Sequence, residues 1–187
     1  LAPLKDMIHL RFLDLNCSNI CDLSPLRDLT NLEVLDLYGC CYITDIRPLS
    51  GMTELRDLNL DGSTITEIKA LSNLSNLERL NIMGTGVSNL TPLKKLTNLK
   101  ELFVGETKVK DLSPLKNLIN IEILILYYDD VSNLSPLSNM TELEELQIQH
   151  TNVTDVSPLK GLPLKYVCAD ENLKQELREM FPSAEIN

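Results

Sequence analysis

The stretch that decides the fold is LKELFVGETKVKDLSPLKNL, Leu99 to Leu118. Its apolar residues keep two rhythms. Leu99, Leu102 and Val104 follow L-x-x-L-x-L, whose closing alternation is that of a short strand with one buried face. Val109, Leu112, Leu115 and Leu118 then recur in steps of three, the period of a 3-10 turn, and Pro114 stands where such a turn tolerates proline. One strand and one tight turn make a coil. A single coil cannot bury both sets of leucines, so coils of this kind must stack.

The phrase returns in both directions along the chain. Leu10, Leu13, Leu15 are followed by Leu32, Leu35, Leu37, by Leu55, Leu58, Leu60 and by Leu77, Leu80, Ile82. Beyond Leu99 come Ile121, Leu124, Leu126, then Leu143, Leu146, Ile148, and a degenerate Leu164, Val167, Ala169. The starts lie 22, 23, 22, 22, 22, 22 and 21 residues apart. The proline recurs as Pro25, Pro48, Pro92, Pro114, Pro136 and Pro158, with Ala70 as the exception. Stacked at about 4.8 Å, the strands form a parallel sheet. The bulkier 3-10 side spreads further, so the sheet lies on the concave face. Ser18, Ser63, Thr85, Thr107 and Thr151 share one position after the strand, a hydroxyl ladder expected to satisfy buried backbone groups.

Composition agrees with a repeated core: 38 of 187 residues are leucine, aromatics are 4% and tryptophan is absent. The net charge of −10 disfavours a nucleic-acid partner and favours a basic one. No apolar run is long enough to span a bilayer, so no membrane insertion is expected.

The phrases TNLEVLDL, VKDLSPLKNL and TNVTDVSPLKGL resemble the 22-residue leucine-rich repeats of bacterial internalins and of protein phosphatase 1 regulators. The resemblance covers essentially residues 1–165. It implies an α/β leucine-rich-repeat solenoid, a curved right-handed coil with parallel strands on the concave face and 3-10 turns on the convex one. The expected organisation is one domain over 1–187: a partial repeat at 1–9, seven repeats over 10–163, and a degenerate repeat with its cap at 164–187. Leu1, Leu4 and Met7 align with Leu23, Leu26 and Leu29, so the chain is expected to open in mid-repeat. Asp170 is placed to N-cap a closing helix over Glu171–Met180, with Leu173, Leu177 and Met180 on one face.

Little in the sequence points to chemistry. His9 and His150 have no ligand or nucleophile at useful spacing, there is no Gly-rich phosphate loop, and no metal or cofactor site is expected. The five cysteines, Cys17, Cys21, Cys40, Cys41 and Cys168, match no zinc pattern. They read as free thiols, with a disulfide near Cys17 and Cys40 as the rival. The Asn-x-Ser/Thr triplets at Asn16, Asn73, Asn89, Asn133, Asn139 and Asn152 are ones the repeat writes by itself, rather than glycan acceptors.

The outward positions of the strands carry the functional expectation. One column reads Phe12, Val34, Asp57, Arg79, Glu101, Ile123, Glu145, Tyr166. The next reads Asp14, Asp36, Asn59, Asn81, Phe103, Ile125, Gln147, Cys168, and the third Asn16, Tyr38, Asp61, Met83, Gly105, Tyr127, Gln149, Asp170. The early repeats are mostly polar, with a small apolar group at Phe12, Val34 and Tyr38. Around repeats five and six, Met83, Phe103, Ile123, Ile125, Tyr127 and Tyr128 form an apolar set with an acidic rim, which is expected to bind a partner protein. The resemblance adds a bacterial surface or secreted protein engaging a host partner. The alternatives are an intracellular scaffold docking an enzyme such as a phosphatase, the targeting part of a larger enzyme, or a homodimer through the apolar set.

Overall fold

A computed structural model describes residues 1–187. The L-x-x-L-x-L phrases form eight three-residue strands: β1 (Phe12–Asp14), β2 (Val34–Asp36), β3 (Asp57–Asn59), β4 (Arg79–Asn81), β5 (Glu101–Phe103), β6 (Ile123–Ile125), β7 (Glu145–Gln147) and β8 (Tyr166–Cys168). Helix α1 (Glu171–Met180) follows, then a short β9 (Glu185–Ile186). The strands pair in sequence order as one parallel sheet, β1 to β9. Equivalent residues stand abreast: Leu13, Leu35, Leu58, Leu80, Leu102, Leu124 and Leu146 are aligned rung by rung. The apolar residues spaced in threes fill the space behind, giving one continuous core from Leu23 to Ile186.

The 3-10 turns lie on the opposite side, as at Ser24–Leu26, Thr91–Leu93 and Ser113–Leu115. The residue two places before six of the turns explains why the repeat writes D-L-S-P-L or N-L-T-P-L. Asp22, Asp45, Asn89, Asp111, Asn133 and Asp155 each accept the N–H two residues on, at 2.8–2.9 Å. Bonds from Ser24 and Ser113 hold the Asp22 and Asp111 carboxyls below their ordinary range. Two of the glycan-like asparagines, Asn89 and Asn133, are thus turn caps. A second ladder joins coil to coil on the return side: Asn31, Asn76, Asn98 and Asn120 donate to the carbonyls of Ile8, Thr53, Ser75 and Thr97.

The hydroxyl ladder works differently from the expectation. Ser18, Thr85 and Thr151 donate to the carbonyl three residues back in their own coil, Leu15, Ile82 and Ile148, while Thr107 bonds Asp129 of the next coil and the buried Ser63 hydroxyl has no partner. The 23-residue repeat absorbs its extra residue at Cys41-Tyr42, which sit exposed between the buried Cys40 and Ile43. All five cysteines are free thiols, and the Cys40 thiol donates to the Leu15 carbonyl.

At the C-terminal end α1 lays Leu173 and Leu177 on the last coil. Asp170 occupies the N-cap position, yet its side chain makes no capping bond; it accepts the His150 N–H at 3.0 Å instead. After α1 the chain adds β9 beside β8, pairing Val167 with Ile186. That ninth strand is two residues long and has no L-x-x-L-x-L phrase to announce it.

Candidate functional site

The first seven strands end on the same backbone device. The residue two past the last buried strand position has a left-handed conformation in seven successive coils: Cys17, Gly39, Gly62, Gly84, Glu106, Tyr128 and His150, with φ between 52° and 71°. Glycine suits such a position, and a side chain there costs about 1 kcal/mol. Repeats two to four use glycine; repeats five to seven carry Glu106, Tyr128 and His150. These three line up along the rim beside the expected apolar set. Tyr128 is 57% exposed and its ring stacks on His150, centroids 4.4 Å apart.

A second device distinguishes the same repeats. In repeats one to four the middle outward residue caps the strand end. Asp14, Asp36, Asn59 and Asn81 accept the N–H of Asn16, Tyr38, Asp61 and Met83 at 3.0–3.1 Å. The polar column of the early repeats is therefore structural. In repeats five to seven the cap is replaced by Phe103, Ile125 and Gln147, and the N–H groups of Gly105, Tyr127 and Gln149 have no acceptor within the chain.

The six expected contact residues come together, though not on equal terms. Phe103, Ile123, Tyr127 and Met83 are half-buried on the concave surface. Phe103 lies under Arg79, whose guanidinium carbon is 4.9 Å from the ring centroid. Arg79 also reaches Asp57 at 3.3 Å and Glu101 at 3.0 Å. Ile125 is only 4% exposed and forms the floor of the patch instead of its contact surface. Tyr127 folds across Gly105 so that its hydroxyl comes within 3.9 Å of the Met83 sulfur. A Cβ at Gly105 would meet the Tyr127 carbonyl at 3.0 Å and its ring at 3.2 Å. Gly105 is thus a positioning residue that pattern reading alone does not single out. Tyr128 stands on the rim, edge-on to Tyr127.

Acidic groups surround the patch. Burial raises the Tyr127 hydroxyl's pKa, and the carboxylates of Glu106 and Asp61 raise it further. Burial likewise raises Asp61, despite a bond from Asn81, with Glu106 adding to the effect. Behind the rim, Asp129 takes the ladder position that serine or threonine holds in five other repeats and Cys40 in repeat two, and is 3% exposed. One of its oxygens accepts the Thr107 N–H and hydroxyl at 2.9 and 2.8 Å; the other has no partner. Burial pushes Asp129 up to about 6, against the pull of those two bonds. No group of three or more His, Cys, Asp or Glu side chains is arranged to hold a metal ion, and no helix is long and apolar enough to cross a membrane.

Comparison with known proteins fits this geometry. The family described as "Leucine-rich repeat region" matches residues 9–163. An internalin C2 of Listeria monocytogenes is 33% identical, with a TM-score of 0.87 over 89% of this chain and 74% of that one. An internalin F of the same species is 32% identical, with a TM-score of 0.82 over 88% of this chain; the chain spans 49% of its length. A plant peptide hormone receptor, RGFR1, solved in complex with RGF2, shares the fold at 18% identity and a TM-score of 0.77, over 89% of this chain and 29% of the receptor. No curated protein matches the sequence.

Proposed function

The chain belongs to the leucine-rich-repeat family, in its internalin-like class, and from that premise we propose that it recognises a partner protein through the concave patch of repeats five and six. Likeness to leucine-rich-repeat proteins supports a protein-interaction module. The proposed contact residues are Met83, Phe103, Ile123, Tyr127 and Tyr128, with Ile125 beneath them.

One observation carries the reading. At Phe103 and Ile125 the chain forgoes a cap that four other repeats keep, and places apolar side chains on a surface that does not need them for the core. A hydrogen bond of that kind contributes about 1 kcal/mol. Three left-handed rim positions that would be less strained as glycine add to the cost. The two costs fall together in repeats five to seven, and in five and six a half-exposed aromatic cluster stands there in exchange. Such clusters dominate protein-binding energy.

The test is selection from a random peptide library over the wild-type chain and over the double variant Phe103→Ser/Ile123→Ser. Binders held by the wild type and lost by the variant are expected, with far-UV circular dichroism unchanged. Binders held equally by both would place recognition elsewhere. Likeness to Listeria internalins supports a bacterial surface or secreted protein facing a host partner. The odd number of cysteines favours the second reading, an intracellular scaffold; fractionation of the native host separates them.

A further inference from the structure

The charge around the patch narrows what fits it. The three outward columns of the sheet hold seven carboxylates and a single basic residue, Arg79, and Glu106 adds an eighth carboxylate at the rim. Arg79 is already committed to Asp57, Glu101 and the Phe103 ring. Asp61 and Glu106 make no ion pair, although the chain pairs many of its other surface carboxylates, such as Glu78 with both Arg56 and Lys100.

Asp61 and Glu106 belong to coils two repeats apart, and the coil between them contributes glycine. Asp61 Oδ1 lies 3.6 Å from where a Cβ of Gly84 would stand. Gly62, Gly84 and Gly105 leave this stretch of the concave surface without side chains, between the two carboxylates and the Tyr127 ring. The raised values of Asp61 and Tyr127, to which Glu106 contributes in both cases, show the three groups sharing one field. The result is an apolar patch with a negative, uncrowded notch along one side. An ammonium or guanidinium placed there meets two carboxylates and the face of an aromatic ring.

We propose that the occupant of the concave patch is a protein segment that pairs an apolar side chain, seated on Phe103 and Ile123, with a neighbouring arginine or lysine directed between Asp61, Glu106 and Tyr127. This rests on the reading of the patch as a recognition surface and adds the partner's chemistry. A second copy of this chain fits poorly, because two faces with this excess of carboxylates repel.

Peptides recovered from the library selection, resynthesised, are measured by fluorescence anisotropy against the wild type, the double variant Asp61→Asn/Glu106→Gln, and Phe103→Ser/Ile123→Ser. The expected peptides carry arginine or lysine next to an aliphatic or aromatic residue. They lose tenfold or more in affinity to Asp61→Asn/Glu106→Gln, and a similar factor when citrulline replaces the arginine. Their affinity also falls as salt rises. Peptides that require Phe103 and Ile123 but contain no basic residue, or bind Asp61→Asn/Glu106→Gln as tightly as wild type, overturn this inference and leave the recognition surface standing. Peptides indifferent to Phe103→Ser/Ile123→Ser overturn the surface itself. A concentration-dependent dimer in sedimentation, abolished by Asp61→Asn/Glu106→Gln, assigns the face to a second copy and also overturns the inference.

Discussion

Replacing Asp129 with asparagine is expected to stabilise the protein at neutral pH and to leave it unchanged in acid. Asp129 holds a ladder position where Thr85 and Thr151 donate a proton to the carbonyl three residues back. An ionised carboxylate has no proton to give, one of its oxygens is buried without a partner, and the Leu126 carbonyl is left open. Burial accordingly pushes Asp129 from an ordinary 3.8 up to about 6. In the folded state the acid therefore holds its proton to higher pH than in the unfolded chain. Stability falls as pH rises from about 4 to about 6 and stays lowered above that. The gap corresponds to about 3 kcal/mol at most, and relaxation around the buried carboxylate brings the expectation to about 1–3 kcal/mol. Asparagine keeps the acceptor for Thr107, removes the charge, and brings an amide donor to the open carbonyl. In guanidinium titrations Asp129→Asn should exceed wild type by that amount at pH 7.5 and converge with it at pH 4. A difference that is the same at both pH values, or a less stable variant at pH 7.5, would refute the reasoning.

Three further outcomes follow from the same geometry. Gly105→Ala should cost about 1–3 kcal/mol by pushing against the Tyr127 carbonyl and ring, and it should weaken peptide binding further by displacing Tyr127 from Met83, visible as lost ring-to-methyl NOEs. Tyr128→Gly relieves a φ of 58°, so thermal melting should hold or rise slightly while affinity for selected peptides drops. Leu102→Ala, in a fully buried rung, should lose about 2–5 kcal/mol in chemical denaturation.

The repeat made most of the fold legible because burial imposes one residue type at fixed spacing: Leu13 through Leu146 form one row, and each is apolar for the same reason. What the pattern could not carry is whatever departs from it. β9 is two residues on an irregular tail, held by backbone bonds of Glu185 and Asn187 to the neighbouring strand and by one buried side chain, Ile186. Asp170 has a helix-capping residue type, but the His150 amide competes for its carboxylate and takes it. At the site, alternation along a strand places Phe103 and Ile123 outward correctly. It also places Ile125 outward, where its neighbours bury it, since facing outward on a concave sheet does not secure exposure. Gly105 was invisible because its contribution is the absence of a side chain beneath Tyr127. The capping role of Asp14, Asp36, Asn59 and Asn81 is readable in retrospect: an Asp or Asn column that turns to Phe and Ile within one repeat is a signal in itself.

The most direct measurement is an amide correlation spectrum of the isotopically labelled chain, titrated with a library-selected peptide. If the concave patch is the recognition surface, resonances of Phe103, Gly105, Ile123, Tyr127 and Tyr128 move together and saturate at one dissociation constant, while those of Lys94, Lys95 and Lys116 beside the 3-10 turns stay still. Shifts confined to the 3-10 face, with the strand residues of repeats five and six unmoved, would contradict the account.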